Sequence, residues 1–418
     1  MSGQPPSLML QRLRTAQGAA VIAFALLLPF RQALSEIALG VGLVAWLGRL
    51  CVTRQTSELA RNPLNLVLLA WMAAAMLSMQ NSVDMAASLN GLRKLAKYFA
   101  LYLLVSSTVD TEKSLRGVVK GCVTGLGLIV IDGLWQAVFK RDLFCGNPIG
   151  DALGGAVQRV QATFYHPSEL GIYLATFAPL ALAAAYLGPR RWRWPLALLV
   201  GLTVVVEVLN RSRGGMLAFL AALIVLTLLL RSWIPAGIAG LTGLLQVWTT
   251  PAAVKVWAAA MPNLLSRLTQ PDRPMIWQAA INMIKAHPIV GVGTNTFVRV
   301  YAKYCLFTDP FGRDPLGPYA HNQYLHLTAE LGIVGLTVFA LLLLVVGRTV
   351  ARGLALRSNA PAQAMVNIGL GAGLIGYLIA GLFESSLFHA RGSVMFWFMI
   401  GLLMAGDAAK SCTTPASS

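Results

Sequence analysis

The residues best suited to chemistry are three arginines and one histidine in short polar segments of a strongly apolar chain. Arg211 and Arg213 belong to the segment NRSRGG, and Arg273 belongs to PDRPMIW. A guanidinium group presents forked N–H donors that bind two phosphate oxygens at once, which a lysine cannot reproduce. His321, in PYAHNQYLHL, can accept a proton near neutral pH. Together these residue types predict a site that binds phosphate or pyrophosphate and moves one proton.

Each of these candidates also has a purely structural interpretation. Arginines at the end of an apolar segment often reach lipid phosphates, and a loop histidine is often only a hydrogen-bonding residue. Glu207, one helical turn before Arg211, can pair with it at i,i+4 spacing and is a candidate supporting residue. His166, in FYHPSEL, is either a weaker site candidate or the cap of the following helix. Asn322 is a further supporting candidate.

Four more polar residues lie within or beside apolar segments without a role that their spacing assigns. Asp132 falls inside a predicted membrane span, where a carboxylate is either functional or the partner of another polar group. Glu384, His389 and Arg391 precede the last apolar segment, and the sequence does not separate their roles.

The candidate residues must be positioned by membrane-spanning helices. The 418-residue chain is 56% hydrophobic and only 12% charged, about half the charge of a soluble domain. This composition excludes a disordered chain and a small disulfide-stapled domain. Apolar segments of about 17–25 residues predict an all-α polytopic membrane protein with about twelve transmembrane helices. The predicted spans are residues 18–34, 36–52, 64–80, 93–109, 117–139, 168–187, 194–210, 214–231, 233–250, 325–346, 364–384 and 393–408.

The net charge of +17 is explained by the membrane topology of the chain rather than by binding to nucleic acid. If the amino terminus lies in the cytoplasm and the spans alternate, sixteen bases gather on the inner side against four acids, as the positive-inside rule requires. The inner bases are Arg12, Arg14, Arg49, Arg54, Arg61, Lys113, Arg116, Lys120, Arg190, Arg191, Arg193, Arg231, Arg348, Arg352, Arg357 and Lys410. The arginines singled out above then lie on the outer side, against this rule.

The predicted chain has three parts. Residues 1–250 hold helices 1–9, residues 251–322 form one long outer loop, and residues 323–418 hold helices 10–12 and a short cytoplasmic tail. The long loop is too large for a simple turn. Within it, PMIWQAAINMIKAHP has apolar residues at three- and four-residue spacing, which predicts an amphipathic helix. Gly291 and Gly293 then predict a tight turn, so the loop is expected to form a helical cap.

The five cysteines do not form a disulfide framework or a metal-binding pattern. Cys145 and Cys305 both fall in predicted outer loops, where an oxidising environment would allow them to pair. Whether they pair depends on a distance that the sequence does not provide. No paired-carboxylate motif in an outer loop predicts a divalent metal site, so neither a metal nor another cofactor is expected.

Four motifs in order resemble the O-antigen ligase/polymerase superfamily: RSRGG, Arg273-x-x-x-Trp277, HPIVGVGTNTF and HNQYLHLTAELGIVG. The resemblance covers about residues 160–400 and is best defined over 210–335. It implies a GT-C-like membrane glycosyltransferase of the cell inner membrane with a periplasmic active site. An O-antigen ligase transfers O-antigen from undecaprenyl pyrophosphate to a sugar hydroxyl of lipid A–core, in lipopolysaccharide biosynthesis. Donor lipid, acceptor lipid and membrane lipids are the implied partners, without nucleic acid.

The resemblance also implies roles for residues. The arginines of the family fall on Arg211 or Arg213 and on Arg273, where they stabilise the departing pyrophosphate. The histidine of the family falls on His321, which takes the proton of the acceptor hydroxyl. This chemistry is a metal-independent, inverting transfer. Which arginine of the doublet is essential stays open.

Two other functions stay open at this point. An O-antigen polymerase of the same superfamily differs only in its acceptor. A transporter for an anionic lipid or sugar is the alternative from another class, but it is expected to show charged residues at mid-membrane and repeated halves. The chain shows no evident internal repeat, and its candidate residues gather on one predicted face. These features favour chemistry at the membrane surface.

Overall fold

The structure is a computed structural model that describes residues 8–53, 62–152, 157–250, 273–305, 319–355 and 361–410. Much of the predicted cap (251–272 and 306–318) lies outside the described residues, as do the predicted inner bases Arg54, Arg61 and Arg357. The described residues form fourteen α-helices. They are α1 Leu8–Leu27, α2 Gln32–Thr53, α3 Pro63–Ser78, α4 Met85–Thr108, α5 Glu112–Phe139, α6 Pro167–Leu187, α7 Arg193–Asn210, α8 Arg213–Leu230, α9 Ile234–Thr249, α10 Arg273–Ala286, α11 Phe297–Tyr304, α12 Gln323–Ala355, α13 Pro361–Ala380 and α14 Ala390–Lys410. Strands β1 Gly150–Ala152 and β2 Val157–Arg159 pair antiparallel.

The all-helical polytopic fold expected from the sequence is confirmed. Each of the twelve predicted spans overlaps a helix. Eight helices of the described residues (α2, α3, α5, α6, α7, α8, α12 and α13) are long and apolar enough to cross a membrane, and α9 and α14 contain shorter apolar helices. Helix α4 carries Arg93, Lys94 and Lys97, and the first half of α1 carries Arg12 and Arg14. The count of twelve crossings and the sidedness of the loops stay predictions.

Helix α6 is the centre of the bundle and is buried along most of its length. Glycines let its neighbours approach closely, as small residues do between membrane helices. A Cβ on Gly369 of α13 would lie 2.5 Å from Cα of Leu180. At the other end of α6, a Cβ on Gly171 would lie 2.9 Å from Cα of Gly215 in α8. Therefore α6 and α8 begin side by side.

One end of the bundle, here called the site end, gathers the first residues of α6, α8, α12 and α14 with the last residues of α7 and α13. Gln323 donates a backbone hydrogen bond to the carbonyl of Gly381 at 2.7 Å. Arg391 of α14 donates to the carbonyl of Thr163 at 3.0 Å. These contacts bring segments that are far apart in the chain to one surface.

Polar residues at the ends of α5 and α7 hold the 140–167 loop at the site end. Asp132 accepts a hydrogen bond from the backbone N–H of Leu143 at 2.6 Å, so this buried carboxylate anchors the loop. Gln136 accepts from the N–H groups of Gln161 and Ala162 at 2.9 and 2.8 Å. Asn210 donates to the carbonyls of Val160 and Pro167 at 2.8 and 2.7 Å, with its side-chain amide buried. The loop is thus tied to the two helix ends that flank it.

The described part of the cap docks where α12 breaks. Gly332 has φ 64° and ψ −166°, so the helical hydrogen bonds are interrupted there. The loop that follows α10 takes their place: Val292 N–H donates to the carbonyl of Ala329 at 2.9 Å, and Ile333 N–H donates to that of Pro288 at 2.9 Å. The predicted turn at Gly291 and Gly293 is confirmed, with φ of 74° and 114°. The motifs HPIVGVG and LTAELGIVG therefore form one structural unit.

Carboxylate and imidazole side chains of α12 complete this docking. Glu330 accepts hydrogen bonds from the backbone N–H groups of Asn295 and Phe297 at 2.7 and 3.0 Å. His326 lies 3.4 Å from Glu330 and stacks on the ring of Phe297 at 4.5 Å. These residues hold α11 against α12. The predicted amphipathic helix is confirmed as α10, whose apolar face buries Ile276, Ala279, Ala280 and Met283.

Two predicted pairings are wrong. Glu207 does not pair with Arg211: it is fully buried, and neither carboxylate oxygen has a hydrogen-bond partner among the described residues. Arg211 adopts φ 54° as the cap that ends α7, so the i,i+4 geometry of a continuous helix is lost. Cys145 and Cys305 do not form a disulfide with each other. Cys145 contacts Arg31, whereas Cys305 contacts the hydroxyl of Tyr301 at the end of α11.

Candidate functional site

A cavity of about 430 Å³ opens at the site end. Its apolar part is formed by Leu28, Ile172, Tyr173 and Met395, which belong to or adjoin α1, α6 and α14. Its polar part is formed by His166, Glu169, His321, Glu384, His389 and Arg391. The cavity thus joins an apolar surface inside the bundle to a ring of titratable side chains at its end.

His321 is presented by a strained turn just before α12. Its backbone has φ 47°, an unusual conformation for a residue with a side chain. The neighbouring Asn322 caps α12, because its side-chain oxygen accepts from the N–H groups of Tyr324 and Leu325 at 3.0 Å each. The amide nitrogen of Asn322 also donates to the carbonyl of Leu382 at 3.2 Å. Asn322 therefore fixes the turn that directs His321 toward the segment before α14.

Glu384 is the partner of both His321 and Arg273. Its Oε2 lies 3.1 Å from His321 Nδ1, and its Oε1 accepts from Arg273 Nη2 at 3.0 Å. Burial raises the pKa of Glu384, but the hydrogen bond with His321 and the charge of Arg273 outweigh burial and lower the pKa to about 2. The carboxyl group is therefore ionised. Glu384 was not assigned a role from the sequence, because its partners lie far away along the chain.

The carboxylate determines which nitrogen of His321 is basic. An ionised carboxylate can only accept hydrogen bonds, so Nδ1 of the neutral imidazole carries the proton. This tautomer is assigned from the hydrogen-bond network. Nε2 then keeps its lone pair, and the side chain is 27% exposed, so a proton can reach that nitrogen from outside. The pair has the geometry of a general base held by a carboxylate.

Arg273 is buried, and two of its donors are committed within the protein. It begins α10 and donates to the backbone carbonyl of Phe383 as well as to Glu384. Arg273 therefore joins the cap to the segment before α14 and holds Glu384 for His321. A direct contact between Arg273 and pyrophosphate stays a prediction.

Two further arginines lie near the ion pair of Arg273 and Glu384. Arg213 is the first residue of α8, is exposed and lies within electrostatic reach of Arg273. Arg159, at the end of β2, donates from Nε to the carbonyl of Asn210 at 3.4 Å. Burial lowers the pKa of Arg159, the charge of Arg213 lowers it further, and the charge of Glu384 opposes both. Arg273 and Arg159 thus interact with one buried carboxylate, and Arg213 adds a third positive charge beside them. This excess of positive charge suits an anionic ligand.

Arg211 differs from Arg213 in what it contacts. Its Nη1 donates to the backbone carbonyl of Gln158 in β2 at 3.1 Å. Of the RSR doublet, Arg213 is therefore the residue that the fold brings to the arginine cluster, while Arg211 is turned to the hairpin. Arg159 was not singled out from the sequence, where it is one base among many in the outer loops.

The other histidines of the cavity are neutral residues around His321. The predicted cap role of His166 is confirmed: its Nδ1 accepts from the N–H of Ser168 at 3.3 Å and lies 2.7 Å from that residue's hydroxyl. Burial lowers the pKa of His166, although the charge of Glu384 opposes this. Burial also lowers the pKa of His389 to about 4, and its ring packs on Tyr319 at 4.0 Å. Among the described residues, no group of three or more His, Cys, Asp or Glu side chains is placed to hold a metal ion.

Two comparisons with known proteins bear on the family of this chain. Residues 198–340 match the model of the family described as O-Antigen ligase. The exopolysaccharide production protein ExoQ of Rhizobium meliloti (strain 1021) is 24% identical over 353 residues, which cover 82% of this chain and 75% of that protein. The family match contains Arg211, Arg213, Arg273 and His321. The resemblance to the O-antigen ligase family that the motifs predicted is confirmed.

Proposed function

We propose that this relative of the O-antigen ligases is a glycosyltransferase that joins a lipid-linked glycan to a second lipid. The donor is O-antigen on undecaprenyl pyrophosphate, and the acceptor is a sugar hydroxyl of lipid A–core on the periplasmic face of the inner membrane. The observation that carries the proposal is the hydrogen-bonded series of His321, Glu384 and Arg273 at one end of an apolar bundle. It combines a base, its orienting carboxylate and positive charge at the depth where two membrane lipids present their head groups.

The proposed reaction is a single displacement. The acceptor hydroxyl gives its proton to His321 Nε2 while its oxygen attacks the anomeric carbon of the donor. The bond between that carbon and the pyrophosphate oxygen breaks, and its electron pair leaves with the pyrophosphate. Glu384 stabilises the imidazolium that forms, as carboxylates do in related acid–base pairs. One displacement inverts the anomeric centre, and no metal is required in this scheme.

Charge that develops on the departing pyrophosphate must be balanced at the same time. Arg213 and Arg159 lie beside Arg273 and can present forked donors to phosphate oxygens. Arg273 contributes in this scheme mainly by holding Glu384, since two of its donors are already used. Arg211 keeps the hairpin that carries Arg159 in place through Gln158. His166 and Asn322 are supporting residues rather than reacting groups, and Glu207, which has no hydrogen-bond partner among the described residues, has no role in this scheme.

The arrangement favours surface chemistry over transport. A transporter is expected to place charged binding residues near mid-membrane. Asp132 instead anchors the 140–167 loop, and Glu330 anchors α11. The buried carboxylate of Glu384, with its partners Arg273 and His321, lies at the site end.

A polymerase is the second candidate function, and one observation favours it. The relative of this chain is named for exopolysaccharide production rather than for the ligation of O-antigen. A polymerase would use the same base and arginines but accept a second carrier-linked glycan in place of lipid A–core.

The test is to incubate the purified protein in lipid nanodiscs with undecaprenyl-pyrophosphate glycan and lipid A–core. Glycan transferred to lipid A–core supports the ligase, and elongation of the carrier-linked glycan supports the polymerase. His321→Ala is the matched inactive control, and Arg190→Gln, at an exposed position distant from the site, is the active control. If neither product forms with the wild-type protein, the proposed function is wrong.

A further inference from the structure

Helix α4 carries exposed bases that the proposed reaction does not use. Arg93, Lys94 and Lys97 recur at three- and four-residue spacing, so they share one face of the helix. Arg93 and Lys94 are exposed, and no carboxylate of the described residues forms an ion pair with either of them. Arg93 donates to Asn90 at 2.8 Å and Lys94 donates to Asn295 at 3.5 Å, whereas Lys97 pairs with Glu36 of α2 at 2.8 Å. This face therefore keeps two uncompensated positive charges.

These bases lie at the depth of the catalytic cavity. Tyr98 of α4 hydrogen-bonds Ser393, which is in the first turn of α14. Gly392 and Met395, on the same turn of α14, line the cavity. Arg93 and Lys94 stand about one helical turn closer to the site end than Tyr98, at 1.5 Å per residue. They are therefore level with the mouth of the cavity and one helix away from it.

These charges lie at the site end of the bundle. The residues just before and within the start of α4 contact the cap, because Asn81 donates to the carbonyl of Gly291 at 2.8 Å and Asn295 donates to that of Ala87 at 2.9 Å. With this end outside the cytoplasm, the basic face opposes the positive-inside rule, as the catalytic arginines do. Bases at that depth attract lipid phosphates, by an amount that corresponds to about fivefold in affinity for each residue.

We propose that the basic face of α4, formed by Arg93, Lys94 and Lys97, binds phosphate groups of the acceptor glycolipid and holds that lipid beside the cavity. The proposal rests on the proposed function, since it assumes an acceptor that is a membrane lipid. Lipid A carries phosphate groups on its sugars at the membrane surface, which is the depth of this face. The donor pyrophosphate is assigned to the arginines of α8 and β2, which lie apart from α4. The two substrates then approach His321 from different helices.

The occupant is the acceptor rather than bulk anionic lipid because of where the face lies. Bulk phospholipid surrounds the whole bundle, so bases on any lipid-facing helix would attract it equally well. The exposed pair Arg93 and Lys94 instead lies on α4, which packs against α14, and α14 forms one wall of the cavity. A lipid held by its phosphates at this point has its sugars within reach of the cavity mouth.

The binding test uses purified full-length protein in phosphatidylcholine nanodiscs. Three probes are compared by retention in native mass spectrometry: bis-phosphorylated lipid A, lipid A with both phosphates removed, and phosphatidylglycerol. The variant Arg93→Gln/Lys94→Gln removes the two charges that have no ion-pair partner among the described residues, and Arg93→Lys/Lys94→Arg keeps them. Arg190→Gln/Arg191→Gln is the matched control, with two exposed arginines on a connection outside the site end.

We expect wild type, the charge-keeping variant and the control to bind phosphorylated lipid A at least tenfold more tightly than the dephosphorylated form. The glutamine variant should lose about 25-fold in affinity for the phosphorylated form alone. In the transfer assay, KM for the acceptor should rise while kcat is kept. If the glutamine variant binds phosphorylated lipid A as tightly as wild type does, the proposal is wrong. It is also wrong if wild type retains phosphatidylglycerol as well as it retains phosphorylated lipid A. Because binding is measured without turnover, the binding result can be interpreted even if the transfer reaction fails.

Discussion

His321 and Glu384, 63 positions apart in sequence, lie 3.1 Å apart between Nδ1 and Oε2. Glu384 also accepts from Arg273 at 3.0 Å, so one buried carboxylate connects the turn before α12 with the first residue of α10. This relationship makes the activity of the histidine depend on a residue outside the motif that contains it.

The first prediction concerns Glu384 as a positioning residue. Glu384→Gln keeps the size of the side chain but removes the charge that stabilises the imidazolium and compensates Arg273. We expect kcat to fall about 10²–10⁴-fold, the range over which general bases contribute, with KM for the donor nearly unchanged. Glu384→Asp should recover part of kcat, since it restores the charge at a longer distance. A glutamine variant with wild-type kcat would contradict the role of the carboxylate.

The second prediction is the pH dependence of stability. The pKa of Glu384 is lowered from 4.5 to about 2, so its ionised form is favoured by the folded state. A group whose pKa is lowered on folding stabilises the protein above its ordinary pKa, and this contribution is lost as pH falls from 4.5 toward 2. We expect wild type to melt above Glu384→Gln at pH 7, by about 3 kcal/mol in free energy of unfolding, and the gap to close below pH 4. Thermal unfolding in detergent measures both; a gap that is constant from pH 7 to pH 3 would disagree.

The third prediction separates the arginines by their contacts. Arg213→Lys and Arg159→Lys keep the charge but lose the forked donor, so transfer should fall about 10²-fold while protein level holds. Arg211→Lys should keep most activity, because a lysine can still donate to the carbonyl of Gln158. Arg273→Lys should also be impaired, through the loss of its two contacts with residues 383 and 384. Full activity in all of these variants would rule out a pyrophosphate clamp.

The fourth prediction is that His321 activates the acceptor hydroxyl. His321→Gln keeps a hydrogen-bond donor but is a poor base, so it should be nearly as inactive as His321→Ala, by about 10²–10⁴-fold in kcat. Donor binding should be nearly intact in both, since a base contributes to turnover rather than to ground-state binding. His166→Gln is the comparison, because that histidine caps α6 instead. Substantial transfer by His321→Gln at saturating donor would leave His321 as a positioning residue only.

The fifth prediction tests the break in α12. Gly332 has φ 64°, and a Cβ there would collide with the carbonyl oxygen of Ile289. Gly332→Ala should therefore lower the free energy of unfolding by about 2–4 kcal/mol and loosen the cap. Gly347→Ala, in the same helix with nothing near its Cβ, should be neutral or stabilising by up to about 1 kcal/mol. Thermal unfolding of the two variants compares them directly, and equal melting temperatures would argue against a cap held by this break.

Features that depend on neighbouring residues were predictable from the sequence. Apolar segments indicated the positions of the helices, because the preference for lipid is a sum over consecutive side chains. The spacing in PMIWQAAINMIKAHP indicated α10, and the histidine before Pro167 indicated the cap of α6. The order of the family motifs pointed to Arg211 or Arg213, to Arg273 and to His321, and the fold brings Arg213, Arg273 and His321 together at the site end.

Other features were decided only by tertiary structure. Glu384 and Arg273 are separated by 111 positions, and nothing in the local sequence of Glu384 distinguishes it from other polar residues between helices. Arg159 joins the arginine cluster because β2 packs beside the end of α7, and Arg211 leaves it because the backbone turns at φ 54°. The physical reason is that a hydrogen bond or ion pair needs atoms within about 3–4 Å. For residues far apart in the chain, only the packing of whole helices determines which atoms come that close.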